Sequence, residues 1–118
     1  MTQRAIRRVP AHETVDDGLE RRFRQAWRTA FKAAGLLRER HGVRQVRVIG
    51  SLLRRELFHE ESDIDLVLPG KSPGQAFDMG KSMEELYPWQ IDLIPLKGMN
   101  EKKQEFFFKR SVPIETGD

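Results

Sequence analysis

The stretch "SDIDLVL", residues 62–68, sets two aspartates one residue apart in an apolar run. Side chains alternate faces along a strand, so Asp63 and Asp65 share one face and Ile64, Leu66 and Leu68 the other. Two same-face carboxylates stand roughly 6–7 Å apart along the backbone. Like charges this close raise each other's pKa unless a cation neutralises them. The stretch "WQIDLIPL", residues 89–96, has the same design, with Asp92 between Ile91 and Leu93. If these two runs pair as neighbouring strands, Asp92 joins Asp63 and Asp65 in one cluster. The chain has no cysteine, and its three histidines (His12, His41, His59) show no metal-ligand spacing, which argues against thiolate and zinc sites. An all-oxygen cluster suits a hard cation. Mg²⁺ is the expected one, held by carboxylates together with substrate phosphates. Two such ions roughly 3.5–4 Å apart would favour in-line displacement at phosphorus.

Bulk properties frame this reading. At 118 residues the chain suits one domain, here 1–118, able to bury roughly 60–70% of its unfolded surface. No apolar run approaches the roughly 18 residues of a membrane span, so no membrane partner is expected. "MTQRAIRRVP" lacks the apolar stretch of a signal peptide, and the acidic "HETVDD" follows at once; a cytoplasmic location is the expectation. Residues 1–59 carry fourteen Lys+Arg against six Asp+Glu, while residues 60–118 carry seven against twelve. The basic half reads either as a solvated helix face or as a surface for phosphate or RNA.

Along the chain, residues 1–13 read as a flexible arm. A helix is predicted from Thr14, which with Asp17 resembles a capping pair. Leu19, Phe23, Ala26, Trp27, Ala30, Ala34 and Leu37 form its apolar face. Trp27 and Phe31 are predicted to be core. Gly42 is the predicted stop. "VRQVRVIG" reads as a first strand, "LLRRELF" as a short helix or turn and "SDIDLVLPG" as a second strand. "SPGQAFDMGKSMEELYP" reads as a helix with Ala76, Phe77, Met79, Met83 and Leu86 apolar. The third strand is "WQIDLIPL", followed by a helix "NEKKQEFFFKR" and a short edge strand or tail "SVPIETGD". The class is α+β, with a small mixed sheet of three or four strands flanked by helices.

Gly50-Ser51 ends the first strand. A glycine there lets phosphate oxygens approach the backbone. The following N–H groups and the Ser51 hydroxyl are candidate donors to a triphosphate. Together, Gly50, Ser51, Asp63, Asp65 and Asp92 resemble the pattern of the polymerase-β-type nucleotidyltransferases, most closely the minimal (MNT) branch. That pattern is a strand ending in Gly-Ser, an Asp-x-Asp strand and a later strand Asp; the resemblance covers residues 43–96. Two departures stand out. Eleven residues separate Ser51 from Asp63, one more than the usual spacing of that branch. Where many members have Ala-Arg-Gly, this chain has Leu53-Arg54-Arg55, so Arg54 keeps the basic position and Arg55 replaces a glycine.

The resemblance implies the polymerase-β-like fold and transfer of AMP from ATP. Mg²⁺ (two ions) would lie on Asp63, Asp65 and Asp92, with Gly50, Ser51 and Arg54 on the nucleotide. It also implies an antitoxin role, with the AMP going to a tyrosine of a HEPN-type toxin partner. About 20 residues follow the third strand, short of the helical substrate domain of larger relatives. Two other functions remain open at this point: a nucleotidyltransferase acting on RNA or a small molecule, and a catalytically silent toxin-binding module.

Overall fold

The structure, a computed structural model, describes residues 10–114, with side chains from Gly18 onward. Helix α1 spans Pro10–His41. It begins four residues before the predicted Thr14, with a proline in its first turn, where a missing N–H costs nothing. Residues 10–13 are therefore helical rather than part of an arm, and Thr14 lies inside the helix instead of capping it. Residues 1–9 lie outside the described residues. The helix stops where Gly42 takes φ 64°, and the N–H groups of Gly42 and Val43 donate to the carbonyls of Arg38 and Leu37.

Four strands form one sheet: β1 (Arg47–Ile49), β2 (Ile64–Leu68), β3 (Ile91–Pro95) and β4 (Val112–Pro113). Their spatial order is β3-β2-β1-β4. β1 runs antiparallel to β2 and to β4, and β2 runs parallel to β3. The mixed sheet with helices matches the α+β expectation. Helix α2 (Pro73–Met83) connects the parallel pair. Its start is a complete capping box: Ser72 Oγ accepts from the Gln75 N–H, and Gln75 Oε1 accepts from the Ser72 N–H. Helix α3 (Glu101–Arg110) is capped by Asn100, whose Oδ1 accepts from the Lys103 N–H at 2.8 Å.

The core lies on one face of the sheet. Ile64, Leu66 and Leu68 are fully buried there, packed with Val48, with Ala26, Ala30, Ala33, Ala34 and Leu37 of α1, and with Met79 and Met83 of α2. The alanines let α1 approach the strands closely. Two aromatic residues depart from the expected pattern. Phe31 is 47% exposed and Phe77 is 73% exposed. Each lies one position beyond a buried alanine, about 100° further round its helix and off the core stripe.

The opposite sheet face is organised by a residue that the alternation of Val43, Val46 and Val48 does not flag. Arg47 is buried. Its Nε donates to Ser111 Oγ at 2.7 Å and its NH2 group donates to the carbonyls of Ser111 and Phe108. The Phe108 ring lies 3.8 Å from the guanidinium, a cation–π contact. These contacts fasten the end of α3 and the start of β4 over β1. Arg47→Ala strands Ser111 and removes charge-assisted bonds worth about 1.5–3 kcal/mol each, not additively. Urea denaturation should show a loss of at least that size; an unchanged midpoint would remove Arg47 from this role.

Candidate active site

Strand alternation carries Asp65 and Val67 of β2 to the face away from the core. The register then decides what stands beside them. Asp65 pairs with Ile49 of β1 on one side and Asp92 of β3 on the other. Asp92 is exposed and Asp65 is half-buried. Asp63 lies one residue before β2 and is exposed, because pairing with the β3 side begins at the Ile64 N–H, which donates to Gln90 O at 3.0 Å. The three aspartates therefore gather at one end of the parallel pair, with Asp65 and Asp92 directly adjacent.

Electrostatics agree with that placement. Burial pushes the Asp65 carboxyl up from its ordinary 3.8 to about 6, reinforced by the Asp92 charge, a hydrogen bond shared with Asp92, and the Asp63 charge. A cluster of oxygen donors with excess negative charge has the chemistry of a divalent-cation site. As the side chains stand, no three His, Cys, Asp or Glu groups among the described residues are arranged to hold a metal ion. The arrangement is a carboxylate pair with a third acid beside it.

Gly50 completes the pair's surroundings. Its backbone lies at φ 92° and ψ −153°, a region open essentially to glycine alone. A Cβ at this position would come within 2.9 Å of Asp65 Oδ2. Gly50 is thus needed for its own conformation and for the seat of the Asp65 carboxylate. Ser51 opens a short 3₁₀ turn, Ser51–Leu53, in which the N–H groups of Leu53 and Arg54 donate to Gly50 O and Ser51 O. Leu52 is buried and anchors the turn. Arg54 is exposed and donates to Glu56 at 2.9 Å, so its guanidinium is engaged within the loop.

The rest of the loop is tied to α1. Arg55 donates from Nε to Glu20 Oε1 at 2.8 Å and lies 5.2 Å from the Phe23 ring. Phe58 is buried, and its ring meets Phe23 edge-on at 5.1 Å. Ser62 Oγ accepts from the His59 N–H, closing the loop just before Asp63. Sequence reading did not identify this clamp. Its signal in the sequence was Arg55 itself, a long charged side chain with an acidic partner, Glu20, on the preceding helix.

A family model described as a nucleotidyltransferase domain matches residues 32–114, from the second half of α1 through β4. No curated protein matches the chain.

The raised Asp65 pKa has a defined consequence without metal. Between 3.8 and about 6 the folded state binds more protons than the unfolded chain, so stability falls as pH rises through that window. In chelator, Asp65→Asn should melt above wild type at pH 8, with the gap closing near pH 4. Equal gaps at both pH values would refute the shift. Gly50→Ala should cost about 1–3 kcal/mol of strain and displace the Asp65 carboxylate, read by denaturation and by the Asp65 carboxyl chemical shift; an unaltered shift would show that the carboxylate does not depend on this glycine.

Proposed function

The chain belongs to the nucleotidyltransferase-domain family, and from that premise we propose that it transfers AMP from ATP to a hydroxyl group. The observation that carries this reading is the in-register placement of Asp65 beside Asp92, with Gly50 against Asp65. On this reading Asp63, Asp65 and Asp92 hold Mg²⁺. When bound, Mg²⁺ neutralises the clustered carboxylates and the phosphate charge. The Ser51 hydroxyl and the backbone around Gly50 grip the β- and γ-phosphates, joined by Arg54 once it leaves Glu56. Asp92, the most exposed member of the paired carboxylates, accepts the proton of the incoming hydroxyl.

The acceptor is proposed to be a tyrosine of a HEPN-type toxin, with this chain as its antitoxin. Support for that step is the resemblance across residues 43–96 to the minimal branch. A second reading, transfer to RNA, is favoured by a specific observation: Arg21, Arg24, Arg28 and Lys32 are all exposed along α1, a row suited to a phosphodiester backbone.

Incubation with labelled ATP, Mg²⁺ and either the candidate toxin or short RNAs decides between them by mass. Asp92→Asn should lower transfer about 10²–10⁴-fold, the usual contribution of a positioned base, while leaving the circular dichroism spectrum intact. Asp63→Asn with Asp65→Asn should abolish it. Wild-type rates in the double variant would reject the site. A wild-type protein that binds the toxin but transfers nothing would leave a silent binding module.

A further inference from the structure

One edge of the sheet is β3, the outer strand in the order β3-β2-β1-β4. Two hydrogen bonds fix which way its backbone points. The Ile64 N–H donates to Gln90 O at 3.0 Å, and the Leu96 N–H donates to Leu68 O at 3.3 Å. Gln90 and Leu96 therefore turn toward β2, as do Asp92 and Ile94 between them. Alternate residues turn the other way. The N–H groups of Ile91 and Leu93, and the carbonyls of Ile91, Leu93 and Pro95, point outward. Among the described residues β3 pairs with β2 alone. Pro95 agrees with this orientation, since its missing N–H falls on the outer edge, where no ladder bond is lost.

The side chains on this edge are also incompletely covered. Ile91 and Leu93 lie on the core face, like Ile64, Leu66 and Leu68 of β2, but stay half-buried where those three are fully buried. Beside them, between α2 and β3, runs an open cleft of about 550 Å³ with the exposed Phe77 and Glu84 on its helix side. A strand laid along this edge gains main-chain bonds and carries alternate side chains over the cleft.

Charge says which strand fits. Glu84 stands beside Ile91, at the start of β3. Beyond Pro95, at the other end, come Lys97 and Lys71, joined by the Lys97 N–H donating to Lys71 O at 3.0 Å. An edge that is acidic at one end and basic at the other is complementary to itself when reversed. We propose that two copies of this chain join antiparallel through β3, about a twofold axis at Leu93, to make one continuous sheet. In that register each Leu93 N–H donates to the second copy's Leu93 carbonyl, and each Ile91 N–H to the second copy's Pro95 carbonyl. Asp92 then stands opposite the second copy's Ile94. Centring the axis on Asp92 would set the two Asp92 side chains against each other, a destabilising like-charge pair. Centring it on Ile94 would put Pro95, which has no N–H to give, opposite Leu93. The Leu93 register avoids both. It brings the two clefts together on the core side and leaves both carboxylate clusters on the other face. The inference goes beyond nucleotidyl transfer and does not depend on it.

Sedimentation equilibrium of the full chain in chelator should show a mass that rises with concentration from 13.8 kDa toward twice that value. Amide hydrogen exchange at Ile91 and Leu93 should slow over the same concentration range. The chain has no cysteine, so Leu93→Cys introduces its only thiol. Residues facing each other in a hydrogen-bonded antiparallel pair have Cα atoms ~5.5 Å apart, within disulfide reach. Mild oxidation should therefore link two copies of Leu93→Cys and not two copies of Ile91→Cys, because Ile91 faces Pro95. Ile94→Lys meets Asp92 with opposite charge and Ile94→Asp with like charge, so the first should dimerise about tenfold or more tightly than the second. A mass of 13.8 kDa at every concentration would overturn the proposal. So would a dimer that leaves the Ile91 and Leu93 amides unprotected, or one that Leu93→Cys does not link. Protection of those amides in dilute monomer would assign the edge to residues 1–9 of the same chain and overturn it too. The wild-type mass and exchange need no substitution, so the test stands where a variant fails to fold.

Discussion

Two carboxylates stand side by side across the parallel strands, Asp65 beside Asp92, and that juxtaposition depends on what lies beneath it. Ile64, Leu66 and Leu68 are fully buried on the other face of β2. Burying each is worth ~1.5–3 kcal/mol. A slip of one residue would take all three out of this core and swing the aspartates into it. The apolar face therefore holds the register against the repulsion between the two carboxylates. The same register places Ile49 next to Asp65, which brings Gly50 against the carboxylate. The candidate site is in this sense the reverse side of the hydrophobic core.

The loop that joins Gly50 to Asp63 has its own support. Its exposed charges do little: the Arg54–Glu56 pair lies in water, where such contacts contribute roughly 0–1 kcal/mol. Phe58 and Leu52 carry the burial, and Arg55 bridges to Glu20 while lying over Phe23. This eleven-residue segment between Ser51 and Asp63 is therefore held at three points along its length. The aromatic pair Phe23–Phe58 links it to the same helix that packs on β2.

The parts of this arrangement that were legible in the sequence are those governed by local periodicity. The alternation in "SDIDLVL" predicts which residues face the core, and the core contains them. Asp92 in the same kind of run predicts its partnership, provided the strands are neighbours, which the topology supplies. Local patterns failed where tertiary contact decides. Thr14 has the residues of a cap but lies inside α1. Phe31 and Phe77 are apolar and helical yet point away from the core stripe. Arg47 reads as a polar outward position of a strand, and only its meeting with Ser111, far along the chain, makes it a buried anchor. Gly50 was legible as a glycine that lets something approach; that the close neighbour is Asp65 required three dimensions.

The pairing of β1 also sets an order of assembly. This strand is three residues long and lies between β2 and β4. Its hydrogen-bonded partners come from Asp65–Val67 and Val112–Pro113, and its arginine meets a serine 64 positions away. Local helix formation can precede these contacts, but closing the sheet must wait for a long loop to be drawn in, the slow kind of event in folding. Until then the Arg47 guanidinium has no Ser111 to bind and α3 has nothing to fasten its end. The far edge of the sheet that bears Asp65 and Asp92 is thus closed by the segment most distant in sequence from β1, and Arg47 is the bolt that holds it there.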